Sequence, residues 1–312
     1  NPASPGFLAQ APLSRGAPPA PDDARHESLP TVTTPPPRPL RLALMQYPVE
    51  RPESVAAWAA KLDRWLAEAR DGGADLAVLP EYACVELGSA LAGKSPAEER
   101  EELAAMVEAA PAILEAMRGA ARRAGLWLVP GSLAMRDADG AIRNRAPLIT
   151  PEGRLAFQDK HAMTRFETER WGVSAGAAPV VFDTPWGRIG LSICYDSEFP
   201  KHVRAQVEAG AWLILVPTCT DTLHGFNRVR FSAAARALEN QCFVGIAPTV
   251  GEADWSAALD RNRGFAAVFG PIDRGFPEDG VIAQGVLDQA QWVFADLDPA
   301  RIETVRREGA VF

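Results

Sequence analysis

The stretch GRIGLSICYDSEFP (187–200) passes from alternating apolar residues into a polar turn, and the thiol of Cys194 sits at the join. Its first half reads as a strand, and the residues from 198 to 210 read as the helix that follows. Two other stretches end in the same way. DLAVLPEY (75–82) closes on the carboxylate of Glu81, and LAFQDK (155–160) closes on the ammonium of Lys160. In open α/β sheets, ligands bind in the crevice outside the carboxyl ends of the strands. A carboxylate, an ammonium and a thiol at three strand ends therefore predict an α/β fold with a reactive site at that edge.

Outward from these stretches, strand and helix patterns alternate. Strands are predicted at 41–47, 75–79 and 126–130. An amphipathic helix at 53–70 is closed by Asp71-Gly72-Gly73, a helix stop signal. A second helical stretch at 96–125 is expected to break near Pro111, because proline removes a helix hydrogen bond. Hairpins are predicted from 144–150 with 154–158, and from 180–182 with 188–193 around Pro185-Trp186-Gly187. A strand at 211–216, a helix at 227–240 and a strand at 242–247 follow. Strands at 264–269, 281–286 and 292–295 and a helix at 301–309 complete the pattern. Hairpins between crossovers suggest two sheets with antiparallel parts and helices outside. Trp58, Trp65 and Trp212 fall at core-facing spacings.

The chain has 312 residues and a formal net charge of -8. That acidic balance argues against nucleic acid or an anionic membrane as the main partner. No apolar run is long enough for a spanning helix. Residues 1–39 are rich in Pro, Ala and Ser and read as a tail, flexible or laid on the body or a partner subunit. Residues 40–312 are expected to form one folded domain that carries the three strand-end groups. Cys84, Cys194, Cys219 and Cys242 make no CxxC pair and no cluster with histidine, so a metal is not expected. They read as buried or reactive thiols in a reducing, cytoplasmic setting.

A thiol at the start of a helix has its thiolate stabilised by the dipole and by free N–H groups. A nucleophilic cysteine also needs a base. None of the histidines His26, His161, His202 and His224 carries a local signature, and Glu81 at its strand end is the better candidate. Lys160 is suited to hold a tetrahedral oxyanion, with a backbone N–H near Tyr195 as a second donor. Taken singly, each group reads better as a structural residue.

Taken together, Glu81 in LPEY, Lys160 in DK and Cys194 in GLSICYDSEFP resemble the Glu-Lys-Cys set of the nitrilase, or carbon–nitrogen hydrolase, superfamily. The resemblance covers the chain from about Arg41 onward. It implies a four-layer α-β-β-α sandwich, a homodimer or higher homo-oligomer, and no cofactor or metal. It implies hydrolysis of a non-peptide amide to an acid and ammonia or an amine through a Cys194 thioester. It also implies a second glutamate after the lysine. Glu167 fits the register in KHAMTRFETERWG, with Glu169 in reserve.

Cys-Tyr-Asp after the strand is similar to amidase and carbamoylase branches, whereas nitrile hydrolases of the superfamily commonly show Cys-Trp-Glu. A small-molecule amide is thus the expected substrate, with a nitrile as the alternative. The loop PTCTDTLHGFNRVR (217–230) should lie over the pocket. Tyr195, Thr218, Cys219, His224 and Arg228 are the candidate substrate contacts, and Asp221 and Asn227 lie in the same loop. Arg228 suits a substrate carboxylate, or else pairs with a neighbouring acid. The turn at 275–280 is expected to close one side, and Cys84 to be buried wall. Two further readings compete: a non-catalytic scaffold subunit, and a Cys-His protease, which needs a histidine beside Cys194.

Overall fold

A computed structural model describes residues 38–94 and 97–311. The expected tail lies outside the described residues except for Arg38 and Pro39.

The first half of the chain builds one half-sheet. β1 (Leu40–Pro48), β2 (Leu76–Val78) and β3 (Trp127–Val129) are parallel neighbours. β4 (Leu133–Arg136), β5 (Ile142–Ile149) and β6 (Leu155–Asp159) extend them antiparallel. The crossovers are α1 (Val55–Asp71) and, after a 3-10 turn at Ala83–Leu87, α2 (Gly88–Ala92) and α3 (Glu99–Ala124). Ser54 caps α1 by accepting the Ala57 N–H, satisfying one of the unpaired first-turn donors.

The second half builds the facing half-sheet from the hairpin β7 (Val181–Thr184) and β8 (Gly187–Leu191), then β9 (Leu213–Thr218) and β10 (Phe243–Glu252). Its crossovers are α4 (Pro200–Glu208) and α5 (Leu223–Asn240). β11 (Arg261–Asn262) and β12 (Ala267–Phe269) border β10, and β13 (Val281–Gln284) pairs with β12. β14 (Gln291–Leu297) returns to β1, and α6 (Pro299–Glu308) follows.

The halves join where β1 changes partner. β14 pairs with β1 from Leu40 to Gln46, and β10 takes over at Tyr47 and Pro48. Gln46 covers the changeover: its side chain donates to the Val286 and Gln289 carbonyls and accepts from the Ala266 N–H. Past this joint the sheet folds so that its halves face each other. Leu42, Leu44, Leu76 and Val78 share one face, and Gly245 of β10 looks onto them. A Cβ on Gly245 would lie 3.2 Å from Leu44 Cδ1. Leu191 and Leu215 are in register with Gly245 on that inner face. On the outer faces, Met45 packs with Trp58 and Leu62 of α1 and Met117 of α3. Gly190 and Ile214 lie toward Gln206 of α4. The result is the expected four-layer α-β-β-α arrangement.

The expected break at Pro111 is absent, and α3 runs through it. The proline ring faces solvent, while Met106, Ala110, Ile113 and Met117 seat both halves on the sheet. Burial of that continuous apolar face outweighs the lost hydrogen bond. The helices expected at 198 and 227 start instead at Pro200 and Leu223.

Candidate active site

β2, β6 and β8 each end at the same rim of the folded sheet. Glu81 follows β2 through Leu79 and Pro80, Lys160 directly follows β6, and Cys194 follows β8 through Ser192 and Ile193. All three side chains are at least 95% buried. They lie at the floor of a cavity of about 400 Å³.

The local backbone is bent to deliver them. Cys194 has φ +47° and Tyr82 has φ +56°, both in the left-handed region that side chains seldom adopt. Such angles at a strand end turn the chain sharply and aim the neighbouring side chain outward from the sheet edge. At the Glu81 turn, the Tyr82 N–H donates to Ser132 Oγ. Close packing against Gly131 also holds this turn, since a Cβ there would meet the Pro80 carbonyl oxygen at 2.0 Å.

Lys160 Nζ donates to Glu81 Oε1 at 2.8 Å and to Glu167 Oε2 at 2.6 Å. Asn144 of β5 spans the same two carboxylates, donating through Nδ2 to Glu81 Oε1 (2.9 Å) and Glu167 Oε1 (3.1 Å). Glu167 also accepts from the Tyr82 hydroxyl and from the N–H and hydroxyl of Thr164. It sits in a short π-helical turn, Phe166–Trp171. Glu169, the reserve, is exposed and pairs with Arg165. The nearby Cys194 thiol is among the groups that favour the Glu81 carboxylate. Thr218 Oγ1 donates to Cys194 Sγ at 3.1 Å, and the thiol points to the Cys219 carbonyl at 3.9 Å.

Burial raises the Glu81 carboxyl above its ordinary range, although Lys160 opposes the shift. Burial works the same way on Glu167, but there Lys160 and the Thr164 donors prevail and hold it below that range. Burial disfavours the Lys160 ammonium, yet the two carboxylates outweigh it and keep the side chain charged. The expectation of a dipole-stabilised thiolate at Cys194 is corrected. Burial, reinforced by the charge of Glu81, pushes the thiol well above its usual value. The turn Cys194–Glu198 is a short 3-10 helix rather than the start of α4, so it carries little dipole. Cys194 therefore rests as a thiol beside a buried carboxylate.

Of the candidate substrate contacts, Tyr195, Cys219 and Arg228 line the cavity, as does Asp221. Thr218 is fully buried and reaches the thiol from behind. His224 does not line the cavity and is exposed on the first turn of α5, because the capping of that helix by Thr222 turns it outward. Asn227 also lies off the cavity wall. Arg228 bonds Glu198 at 3.3 Å and remains largely exposed at the mouth. The turn at 275–280 is displaced from the site: Phe276 packs on Phe243, and Arg301 binds the Gly275 carbonyl. Cys84 is buried against the Ser132 carbonyl, outside the cavity lining.

Several residues at the site were not anticipated. Asn144 was visible only as the opening of a strand; an amide in a buried run is the signal it offered. Trp171, which meets Tyr82 edge-on at 5.2 Å, had served only to set a register. The wall at 257–262 carries no local signal at all. No histidine lines the cavity among the described residues, so the Cys-His protease reading loses its base. No helix among those residues is long and apolar enough to cross a membrane.

The folded double half-sheet with flanking helices is that of the nitrilase superfamily. An amidase from Nesterenkonia sp. matches it with a TM-score of 0.66 at 25% identity, over 88% of this chain and 97% of that one. A further structure, of a mutant of the amidase from Nesterenkonia sp. AN1, shows Michael addition of acrylamide at the active-site cysteine. The chain belongs to the carbon-nitrogen hydrolase family, whose profile matches residues 41–307. A probable hydrolase YhcX of Bacillus subtilis is 31% identical over 273 residues, 88% of this chain. The match covers 52% of YhcX, so this chain spans about half the length of that relative. The omega-amidase NIT2 of Homo sapiens is 25% identical over 87% of this chain and 93% of its own length.

Proposed function

We propose that this protein hydrolyses a small non-peptide amide to a carboxylic acid and ammonia or an amine, with Cys194 as nucleophile. One observation carries this reading. A buried thiol, a carboxylate with a raised pKa and an ammonium held by two carboxylates meet at the floor of one cavity. Two neighbouring carboxyls whose environments drive their pKa values apart take different roles in acid–base chemistry. Glu81 is the proton carrier, and Glu167 is the permanent anion that holds Lys160.

In this mechanism Glu81 takes the Cys194 proton as sulfur attacks the amide carbon. The oxyanion is held by Lys160 Nζ and the Tyr195 N–H, which lies in the first turn of a 3-10 helix, where amides lack intrahelical acceptors. Glu81 passes its proton to the leaving nitrogen, and the C–N bond breaks to leave a thioester. A water then gives its proton to Glu81 and attacks the thioester. Collapse releases the acid, and Glu81 returns the proton to sulfur. The amidase relatives and the Cys-Tyr-Asp sequence support an amide over a nitrile. We place the enzyme in the cytoplasm as a homo-oligomer acting without a cofactor.

Ammonia release from a panel of aliphatic amides, ω-amides, N-carbamoyl compounds and nitriles tests this reading. Release from one amide class that vanishes in Cys194→Ala is the expected result. Silence across the panel, together with a Cys194 inert to iodoacetamide, would favour a scaffold role.

A further inference from the structure

Asp196 is a buried carboxylate that the proposed chemistry does not use. It is fully buried two residues after Cys194, and its side chain points away from the cavity lining. It accepts the N–H of Ala162 at 2.6 Å through Oδ1, the N–H of His161 at 3.1 Å and the N–H of Ile193 at 3.3 Å through Oδ2. His161 and Ala162 directly follow Lys160, and Ile193 directly precedes Cys194. One carboxylate thus ties the end of β6 to the end of β8, strands that belong to opposite half-sheets. The hydroxyl of Ser197 locks the same turn by donating to the Cys194 carbonyl at 2.6 Å.

From this geometry, and resting on the proposed amide hydrolysis, we infer that Asp196 is a positioning residue. Its ionised carboxylate fixes the distance and angle between the nucleophile turn and the lysine loop. A carboxylate is suited to the task because it can accept several N–H bonds, and charged acceptors make the stronger ones. A neutral acid keeps fewer acceptor sites and brings a proton of its own into a ring of donors.

The groups facing Asp196 are the Lys160 ammonium, the His202 ring and the three amides. His202 Nδ1 lies 3.9 Å away, and burial lowers that imidazole to about 4, so it is neutral near pH 7. Burial raises Asp196 itself to about 6, against the pull of the Ala162 N–H, Lys160 and the other amides. Acidification through that range protonates the brace before an ordinary carboxylate would respond.

Two readouts that need no substrate test the inference. The first is the alkylation rate of Cys194 by methyl vinyl ketone, a small Michael acceptor that is not an amide, followed by intact mass from pH 5 to 8 in wild type and Asp196→Asn, with thermal melting as a control for folding. The expected result is a folded variant alkylated at least about tenfold more slowly at pH 7.5, with a flatter acid limb. The second uses wild type alone, so it survives a variant that fails to fold. Hydrogen exchange of the peptide spanning His161 and Ala162, corrected for intrinsic rate, should lose protection as pH falls through about 6. Unchanged alkylation in a folded variant, or protection that does not respond to pH, would overturn the inference. A wild-type Cys194 inert to methyl vinyl ketone would instead count against the proposed hydrolysis and leave the exchange arm to judge Asp196.

Discussion

Glu81 and Glu167 share one lysine and one asparagine yet ionise differently, and the difference lies in their remaining neighbours. Glu167 has the Thr164 and Tyr82 donors, whereas Glu81 has chiefly a thiol. Because the folded pKa of Glu81 is raised, its carboxyl binds a proton more readily in the folded than in the unfolded chain. The associated stability is present below the unfolded value and is lost as pH rises through the folded one. The proposed chemistry has the opposite demand, since Glu81 must be ionised to act as its base. The acid limb of kcat/KM is therefore expected above the ordinary glutamate value of about 4.3. Glu81→Gln should remove that limb and lower kcat/KM by roughly 10²–10⁴-fold, the usual span for a general base. Steady-state kinetics across pH check both. Asn144→Ala should also slow turnover, by leaving both carboxylates short of a donor, and should alter kcat more than KM.

At the scale of elements, the turn carrying Glu81 is clamped from two sides. Behind it, Lys61 of α1 donates to both oxygens of Glu86 and to the Pro48 carbonyl, and its ammonium lies over the Tyr47 ring. The Tyr47 hydroxyl donates to Glu86 as well. Burial lowers the Lys61 pKa and raises that of Glu86, each against the attraction of the other. Removing one member leaves the other charge buried, which costs about 3–5 kcal/mol. Lys61→Met should lose about that much in denaturant unfolding, and adding Glu86→Gln should recover part of it. In front, Gly131 has φ +91° and touches the Pro80 carbonyl. Gly131→Ala should displace Pro80 and Glu81 together, lowering both melting temperature and turnover, whereas a surface glycine change should affect neither.

At the scale of the whole molecule, the site exists because one sheet folds back on itself at the β1–β10 joint. β2 and β6 belong to one half and β8 to the other, so Glu81, Lys160 and Cys194 meet only after the halves close. Closure rests on an inner face without room to spare. Gly245→Val would press side-chain carbons against Leu42 and Leu44. Overpacking of this kind costs about 1–3 kcal/mol. A lower urea midpoint with an unchanged slope is the expected outcome, since stability changes while the surface exposed on unfolding does not.

The strands, the two hairpins and the strand-end positions of Glu81, Lys160 and Cys194 were legible because each follows from local periodicity and punctuation. Glu167 is buried beside Lys160 and Glu169 is exposed, and the marks that singled out Glu167, Trp171 and Gly172, lie close by in the chain. Pro111 misled because its local penalty is smaller than the burial of the face it interrupts. His224 misled because a helix cap, not loop membership, sets its direction. Asn144, the wall at 257–262 and the bridge made by Asp196 depend on contacts between segments far apart in the chain. The sequence by itself determined the layered α/β plan and put Glu81, Lys160 and Cys194 at strand ends, since short-range hydrophobic pattern and turn chemistry suffice for both, while the resemblance to the carbon–nitrogen hydrolases singled the three out as a set. Only the tertiary structure decided which carboxyl is pushed above its ordinary range, which amide spans the pair and which carboxylate bridges the segments after β6 and β8, because burial and long-range hydrogen bonds arise only when the half-sheets close.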